Sequence, residues 1–334
     1  MALVCLSFTI SGFAAKLTAT LQSGDKVTPF YGGNAFVEAY NAAVNGDIIT
    51  LSPGEFYATN IEKSITVIGT YAFSDDLSRA TLFSASVTIS ADDVTLEGIR
   101  FTKSPIGVTI KGADNLTINR CWINVLNDVE KEGHKYHNNT IFMDCYINDY
   151  NAMSLSQNAV LRNCSVNYFN DMNEIGNPAL IENCNVSIFA YYNNSLSSTY
   201  EQPYAIYRNC WLGLYKTSSS TDTPSLSFSA PSEFHNNMFF CSYQNPPGSN
   251  YAQSWTIRYG SAANSGNVRN SVYISQSYYP VDGSFSPTTK DGMSYGPIDH
   301  KSYPAIPSIT SSEIDTKTDA NGNLHVKITA TARD

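Results

Sequence analysis

Five residues able to do chemistry stand one position before an asparagine. They are Arg162, Glu182, Arg208, His235 and Arg269, in the phrases Leu161-Arg162-Asn163-Cys164, Ile181-Glu182-Asn183-Cys184, Tyr207-Arg208-Asn209-Cys210, Phe234-His235-Asn236-Asn237 and Val268-Arg269-Asn270-Ser271. Guanidinium forks grip carboxylates through paired hydrogen bonds, and an imidazole can take a proton near neutral pH. Such a line suits an acidic ligand. It also suits β-elimination, with Arg162, Arg208 and His235 as neutralising and basic groups and Glu182 orienting. The same residues equally suit a solvated face on which arginine and glutamate pair across strands. Glycoside hydrolysis needs two carboxyl groups about 5 Å or about 6.5–9.5 Å apart, and the line offers none, because Glu182 is flanked by arginines. Asp75-Asp76 and Asp92-Asp93 pair carboxylates only at loop-like positions ahead of these phrases, and His134 and His137 fall in a charged loop. A phosphate-cradling glycine loop, zinc spacing and a serine nucleophile motif are all missing from the sequence.

The phrases are a repeat, and the repeat dictates the elements that carry them. With the residue after the bend as marker, copies fall at Ile99, Cys121, Cys145, Cys164, Cys184, Cys210, Asn237 and Ser271, at intervals of 22, 24, 19, 20, 26, 27 and 34. Two residues beyond each marker sits an apolar side chain, from Phe101 and Ile123 through Val166 and Val186 to Tyr273. The unit is too short and too rich in β-branched residues for a helical hairpin. It reads as strand, sharp bend, strand and a loop of variable length, which buries its apolar face only by stacking on its neighbours at about 4.8 Å per rung. Asparagine suits the bend because it tolerates the left-handed conformation. The expectation is an all-β chain, a right-handed parallel β-helix.

Stacking places Cys121, Cys145, Cys164, Cys184 and Cys210 at one inward position. A rung spacing of about 4.8 Å exceeds the roughly 3.8 Å between bridged Cβ atoms, so these cysteines are expected to be free thiols acting as small hydrophobes. Cys241 lies off this column. One position past the marker, facing out, come Trp122, Tyr146 and Trp211, and the longest loops add Tyr192, Tyr243 and Trp255 among other aromatics. Clustered outward rings mark a surface on which sugars stack, or they pack loops onto the solenoid. Trp122, Trp211, Tyr192, Tyr243 and Trp255 are the binding candidates.

A solenoid needs caps over its open ends. Asn34 reads as a helix N-cap, Ala35, Phe36, Ala39, Tyr40 and Ala43 as a helical stripe, and Gly46 as its terminator. The strand Asp47 to Leu51, the turn Ser52-Pro53-Gly54 and the stretch Ile61 to Gly69 follow. After residue 292 the pattern breaks, and Glu313 to Asp319 with Leu324 to Thr331 read as a hairpin around Asn321-Gly322. The expected organisation is residues 1–15 as a signal peptide, 16–292 as the β-helix with its N-terminal capping helix, and 293–334 as a C-terminal β-hairpin cap.

The helix, Gly46-Asp47-Ile48-Ile49-Thr50-Leu51, Pro53-Gly54-Glu55-Phe56-Tyr57, Ile65-Thr66-Val67-Ile68-Gly69 and the Asn-Cys rungs to about residue 276 resemble the pectin-lyase-like β-helix superfamily. In character the chain is closest to secreted Bacteroidetes β-helix proteins of unassigned activity. The resemblance implies the fold and leaves activity open, because the superfamily holds lyases, hydrolases, adhesins and tailspikes, and none of its catalytic motifs is matched here.

Composition narrows the partners. Of 334 residues only 15% are charged, and the net charge of −9 gives no attraction to nucleic acid or to an anionic membrane. Residues 1–15 are apolar, too short to span a bilayer, and carry small residues at Gly12 and Ala14, as an export signal would. The sequence therefore predicts an exported protein, periplasmic, cell-surface or secreted, without a transmembrane segment once mature. It is expected to bind a polysaccharide or cell-surface glycan without established catalysis. The alternative is a polysaccharide lyase acting on a uronate-containing glycan. No cofactor is expected. Calcium has only Asp171 and Glu174 in one loop to support it, which is no clear motif.

Overall fold

The computed structural model describes residues 17–73, 76–101, 107–129, 137–151, 156–170, 179–192, 199–202, 205–216, 225–228, 233–235, 237–242, 256–258, 268–269, 272–274, 308–314 and 326–331. Within them the chain is a parallel β-solenoid whose strands form two long sheets of twelve strands each. The first sheet stacks the strands that precede each bend, among them Thr117–Asn119, Ile141–Met143, Val160–Arg162, Ala179–Glu182, Ala205–Arg208 and Glu233–His235. The second stacks the strands that follow it, including Trp122–Val129, Tyr146–Asn151, Ser165–Asn170, Asn185–Tyr192 and Trp211–Lys216. Partners lie one coil away and run parallel, so Ile118, Phe142, Leu161, Ile181 and Tyr207 form one continuous inward column. All five are fully buried, while the residues on either side of each point outward. Alternation thus gives each three-residue strand one core residue before its bend, and each four-residue strand two, Ala179 with Ile181 and Ala205 with Tyr207.

The bend is where asparagine is needed. Asn163, Asn183 and Asn209 sit at φ 56°, 53° and 53°, and Arg120 and Asp144 take the same left-handed conformation on earlier coils. Gly98 begins this column, and Gly69 lies so close to it that a Cβ would stand 2.6 Å from the Gly98 carbonyl oxygen. The amides then link coil to coil, Asn209 donating to Asn183 at 3.1 Å, Asn183 to Asn163 at 3.3 Å and Asn163 to Asp144 at 3.1 Å. A second column stands at the opposite end of the same strands. There Asp93, Asn115, Asn139 and Asn158 are all left-handed, and each asparagine amide donates to the residue one coil before. Asn183→Gly should therefore cost about 1 kcal/mol for the lost amide bonds. Asn183→Ala should cost about 1 kcal/mol more, because alanine resists the left-handed bend. Equal losses in a denaturant titration would show that the bend imposes no conformational demand.

The five cysteines of the column are buried free thiols. They do more than fill space. Each thiol from Cys145 onward donates to a carbonyl of the coil before it, Cys145 to Ile118, Cys164 to Phe142, Cys184 to Leu161 and Cys210 to Ile181, at 3.2–3.6 Å. At the next coil Asn237 takes over. It is fully buried, its amide donates to the Tyr207 carbonyl at 2.9 Å, and its oxygen accepts from the Cys210 N–H at 3.0 Å. Burial pushes the Cys121, Cys164 and Cys210 thiols well above their ordinary range. The side chain of Cys241 lies outside the described features.

The N-terminal end is closed by a hairpin, Thr18–Ser23 with Lys26–Tyr31, added antiparallel to the first sheet, and by the helix Ala35–Ala42. Ala35, Phe36, Ala39 and Tyr40 are its buried face, as the sequence predicts. The helix ends are made differently. Asn34 precedes the helix but its side chain makes no capping bond. Gly46 lies beyond the terminus, whose carbonyls are instead capped by the Lys63 ammonium, donating to Tyr40 at 2.7 Å and Ala43 at 2.8 Å. Late in the chain an antiparallel pair is present, but its first strand is Ser308–Ile314, starting five residues before the position the sequence suggested, against Val326–Thr331. Its turn residues lie outside the described residues.

Candidate functional site

The outer face of the first sheet carries two columns of side chains. One runs Glu97, Asn119, Met143, Arg162, Glu182, Arg208 and His235, each in register with the next, and the backbone of Arg269 continues the register one coil on. Beside it, two residues earlier on each strand, run Ile141, Val160, Leu180, Ile206 and Glu233. The face is thus a track, aliphatic along one side and polar along the other. The solenoid holds it flat. The bend N–H groups of Asn163, Asn183 and Asn209 donate to the carbonyls of Glu182, Arg208 and His235 on the following coil, which pins the polar residues at their strand ends.

The side chains divide into engaged and unengaged cations. Arg162 Nε lies 2.9 Å from Glu182 Oε2, with the two side chains 43% and 23% exposed, and Arg120 is paired with Glu97 nearer the N-terminus. Arg208 is exposed, and among the described residues no carboxylate pairs with it. On the next coil the His235 imidazole Nε2 stands 3.1 Å from Glu233 Oε2. Sequence reasoning brought Arg162, Glu182, Arg208 and His235 together correctly but missed Glu233. The signal was present, since residues two apart on a strand share a face. For Arg162 the cross-strand pairing read as the alternative is what the structure contains; for Arg208 it is not.

The aromatic candidates fare differently. Trp122 and Tyr146 are rung neighbours with ring centroids 4.5 Å apart. The opposite neighbour of Trp122 is Arg100, its guanidinium carbon 4.0 Å from the ring centroid, and Phe73 packs at 6.0 Å. Trp122 is therefore enclosed in a stack and does not offer a bare ring face. Trp211, expected to point outward and support a sugar, is buried at 8% exposure. Between Tyr146 and Trp211 the column holds only Ser165 and Asn185, so the three rings do not form one surface. Tyr192 ends the strand Asn185–Tyr192, and Tyr243 and Trp255 lie outside the described residues.

No protein-family model, no curated protein and no solved structure matches this chain. Of the paired carboxylates ahead of the bends, Asp75 lies outside the described residues and the other three belong to the architecture. Asp93 accepts from the Asn115 amide at 3.0 Å within the second left-handed column and Asp92, beside it, from the Asp114 N–H at 2.9 Å, while Asp76 caps the short helix Leu77–Arg79 by accepting from the Ser78 N–H. Among the described residues no three His, Cys, Asp or Glu side chains gather as a metal site, and Asp171 and Glu174 lie outside them. No helix of the described residues is long and apolar enough to cross a membrane.

Proposed function

We propose that this chain is an exported β-helix of pectin-lyase-like character that binds a carboxylate-bearing glycan along the outer face of its first sheet. The observation that carries this reading is Arg208, an exposed guanidinium without an ion pair among the described residues, held in line with Glu182 and His235. A sugar has a hydroxyl rim and a less polar C–H face. The track offers matching sides, with Leu180 and Ile206 beneath the ring and the fork of Arg208 for the carboxylate. Arg208→Ala should lower affinity for an acidic polysaccharide by about tenfold or more, the scale of a lost charge-assisted fork. Binding should also weaken with salt. Titration calorimetry on the folded variant, with circular dichroism as the folding control, checks this. Unchanged affinity would leave Arg208 a solvated cation and end the proposal.

The pairing of His235 with Glu233 favours a second reading, elimination at a uronate. Arg208 would neutralise the carboxylate, and His235, oriented by Glu233, would take the proton from the carbon bearing it. The bond from the next ring carbon to the glycosidic oxygen breaks as the double bond forms, and water protonates the departing oxygen. Appearance of ultraviolet-absorbing unsaturated products from a uronate polymer, lost in His235→Gln, separates this reading from binding alone.

A further inference from the structure

We infer that the site takes a glycan in which an acidic sugar stands alone between neutral ones, and turns away chains carrying a carboxylate on every residue. This rests on the reading of Arg208 as a carboxylate-binding group. Along the solenoid axis Arg208 has a carboxylate on either side. Glu182 is its register partner on the preceding coil, and on the following coil stand His235 in register and Glu233 bonded to it. Glu182 and His235 lie about one rung, or about 4.8 Å, away, and Glu233 stands diagonally across, about 7–8 Å away. Glu182 also holds Arg162, so the next cation along the track is already neutralised. On this face Arg162 and Arg208 balance Glu182 and Glu233, so these four side chains together carry no net charge.

A pyranose advances a glycan chain by about one rung when the chain follows the axis, about 5 Å against about 4.8 Å. A sugar whose carboxylate meets Arg208 therefore places one neighbour opposite Glu182 and the other opposite His235, beside the Glu233 carboxylate that His235 contacts. Neutral neighbours present hydroxyls, which donate hydrogen bonds to those carboxylates. Acidic neighbours present like charge, and repulsion built in against the wrong ligand is how specificity is commonly made. The two glutamates thus act as specificity-determining residues, and Arg208 sets the position of the acidic sugar.

The test uses the full chain in mildly alkaline buffer and three oligosaccharides of equal length: one with a single central uronic acid among neutral sugars, one entirely of uronic acids, and one neutral. The single-uronate ligand should bind about tenfold more tightly than the all-uronate ligand, the combined effect of two close like-charge contacts. In the variant carrying Glu182→Gln and Glu233→Gln that preference should vanish or reverse, because both repulsions are gone and Arg162 is released. An all-uronate ligand preferred by the parent, or a preference that survives the double replacement, overturns the inference and leaves Arg208 as a carboxylate site. Equal binding of the neutral ligand, or no binding of any, overturns the underlying reading instead.

Discussion

Raised from about pH 8 to about pH 10, the protein is expected to lose several kcal/mol of stability, a large share of what a folded domain possesses. The cause is three thiols of the buried column; Cys184, which burial raises but hydrogen bonds from Cys164 and Cys210 bring well below the ordinary value, does not share in it. Burial lifts the Cys121, Cys164 and Cys210 thiols far above their ordinary values, so in the folded chain they keep their protons. In the unfolded chain they ionise at about pH 8.5. Below that value both states are protonated and the contribution is complete. Above it only the unfolded state loses protons, so stability falls by about 1 kcal/mol per pH unit for each such thiol. The loss continues towards the raised folded values. Tyr207, also buried and raised, adds to the decline once the pH passes about 10. Denaturant midpoints measured across this range should slide steeply, and Cys164→Val should shallow the slope by about a third if the three thiols contribute alike. An alkylating reagent should leave the column unlabelled in folded protein and label it after unfolding. Flat stability up to about pH 10 would refute the account of the column.

The second large effect concerns the core. Ile181 is fully buried in the inward column between Leu161 and Tyr207. Its truncation to alanine leaves a void that rigid neighbouring coils cannot close, and should cost about 2–5 kcal/mol. Arg162, on the preceding coil and on the outer face with only the partly exposed Glu182 pairing to lose, should cost about 1 kcal/mol or less on truncation to alanine. Reversible denaturation of the two variants decides the matter, and comparable losses would contradict the inside–outside assignment of this sheet.

Much of this architecture can be read from the repeat alone. The interval between successive cysteines fixes which residues share a face, so the register from Glu97 to Arg269 follows from spacing. The corner column follows the same rule and was there to be seen. Asp93, Asn115, Asn139 and Asn158 recur at intervals of 22, 24 and 19, the intervals that separate Ile99, Cys121, Cys145 and Cys164. Spacing does not say what lies against a side chain. Trp122 and Trp211 both occupy outward positions, yet one is enclosed by Arg100 and Tyr146 and the other is buried. Nor does it reveal local satisfaction of polar groups. Asn34 has the residue type of a helix cap, but the carbonyls at the far end of that helix are served by Lys63, which is distant in sequence.

One consequence of the ladders is mechanical. Bonds between coils, whether from backbone, asparagine amide or thiol, point along the axis and join each coil only to the next. Tension applied along that axis therefore loads them one coil after another, like a zip. Tension applied along the strands loads every bond between two coils together, in shear. The molecule should be soft in one direction and stiff in the other. A force trace pulled from its ends along the axis should rise and fall in a series of small steps, one per coil, where a chain without that polarity would give way at once.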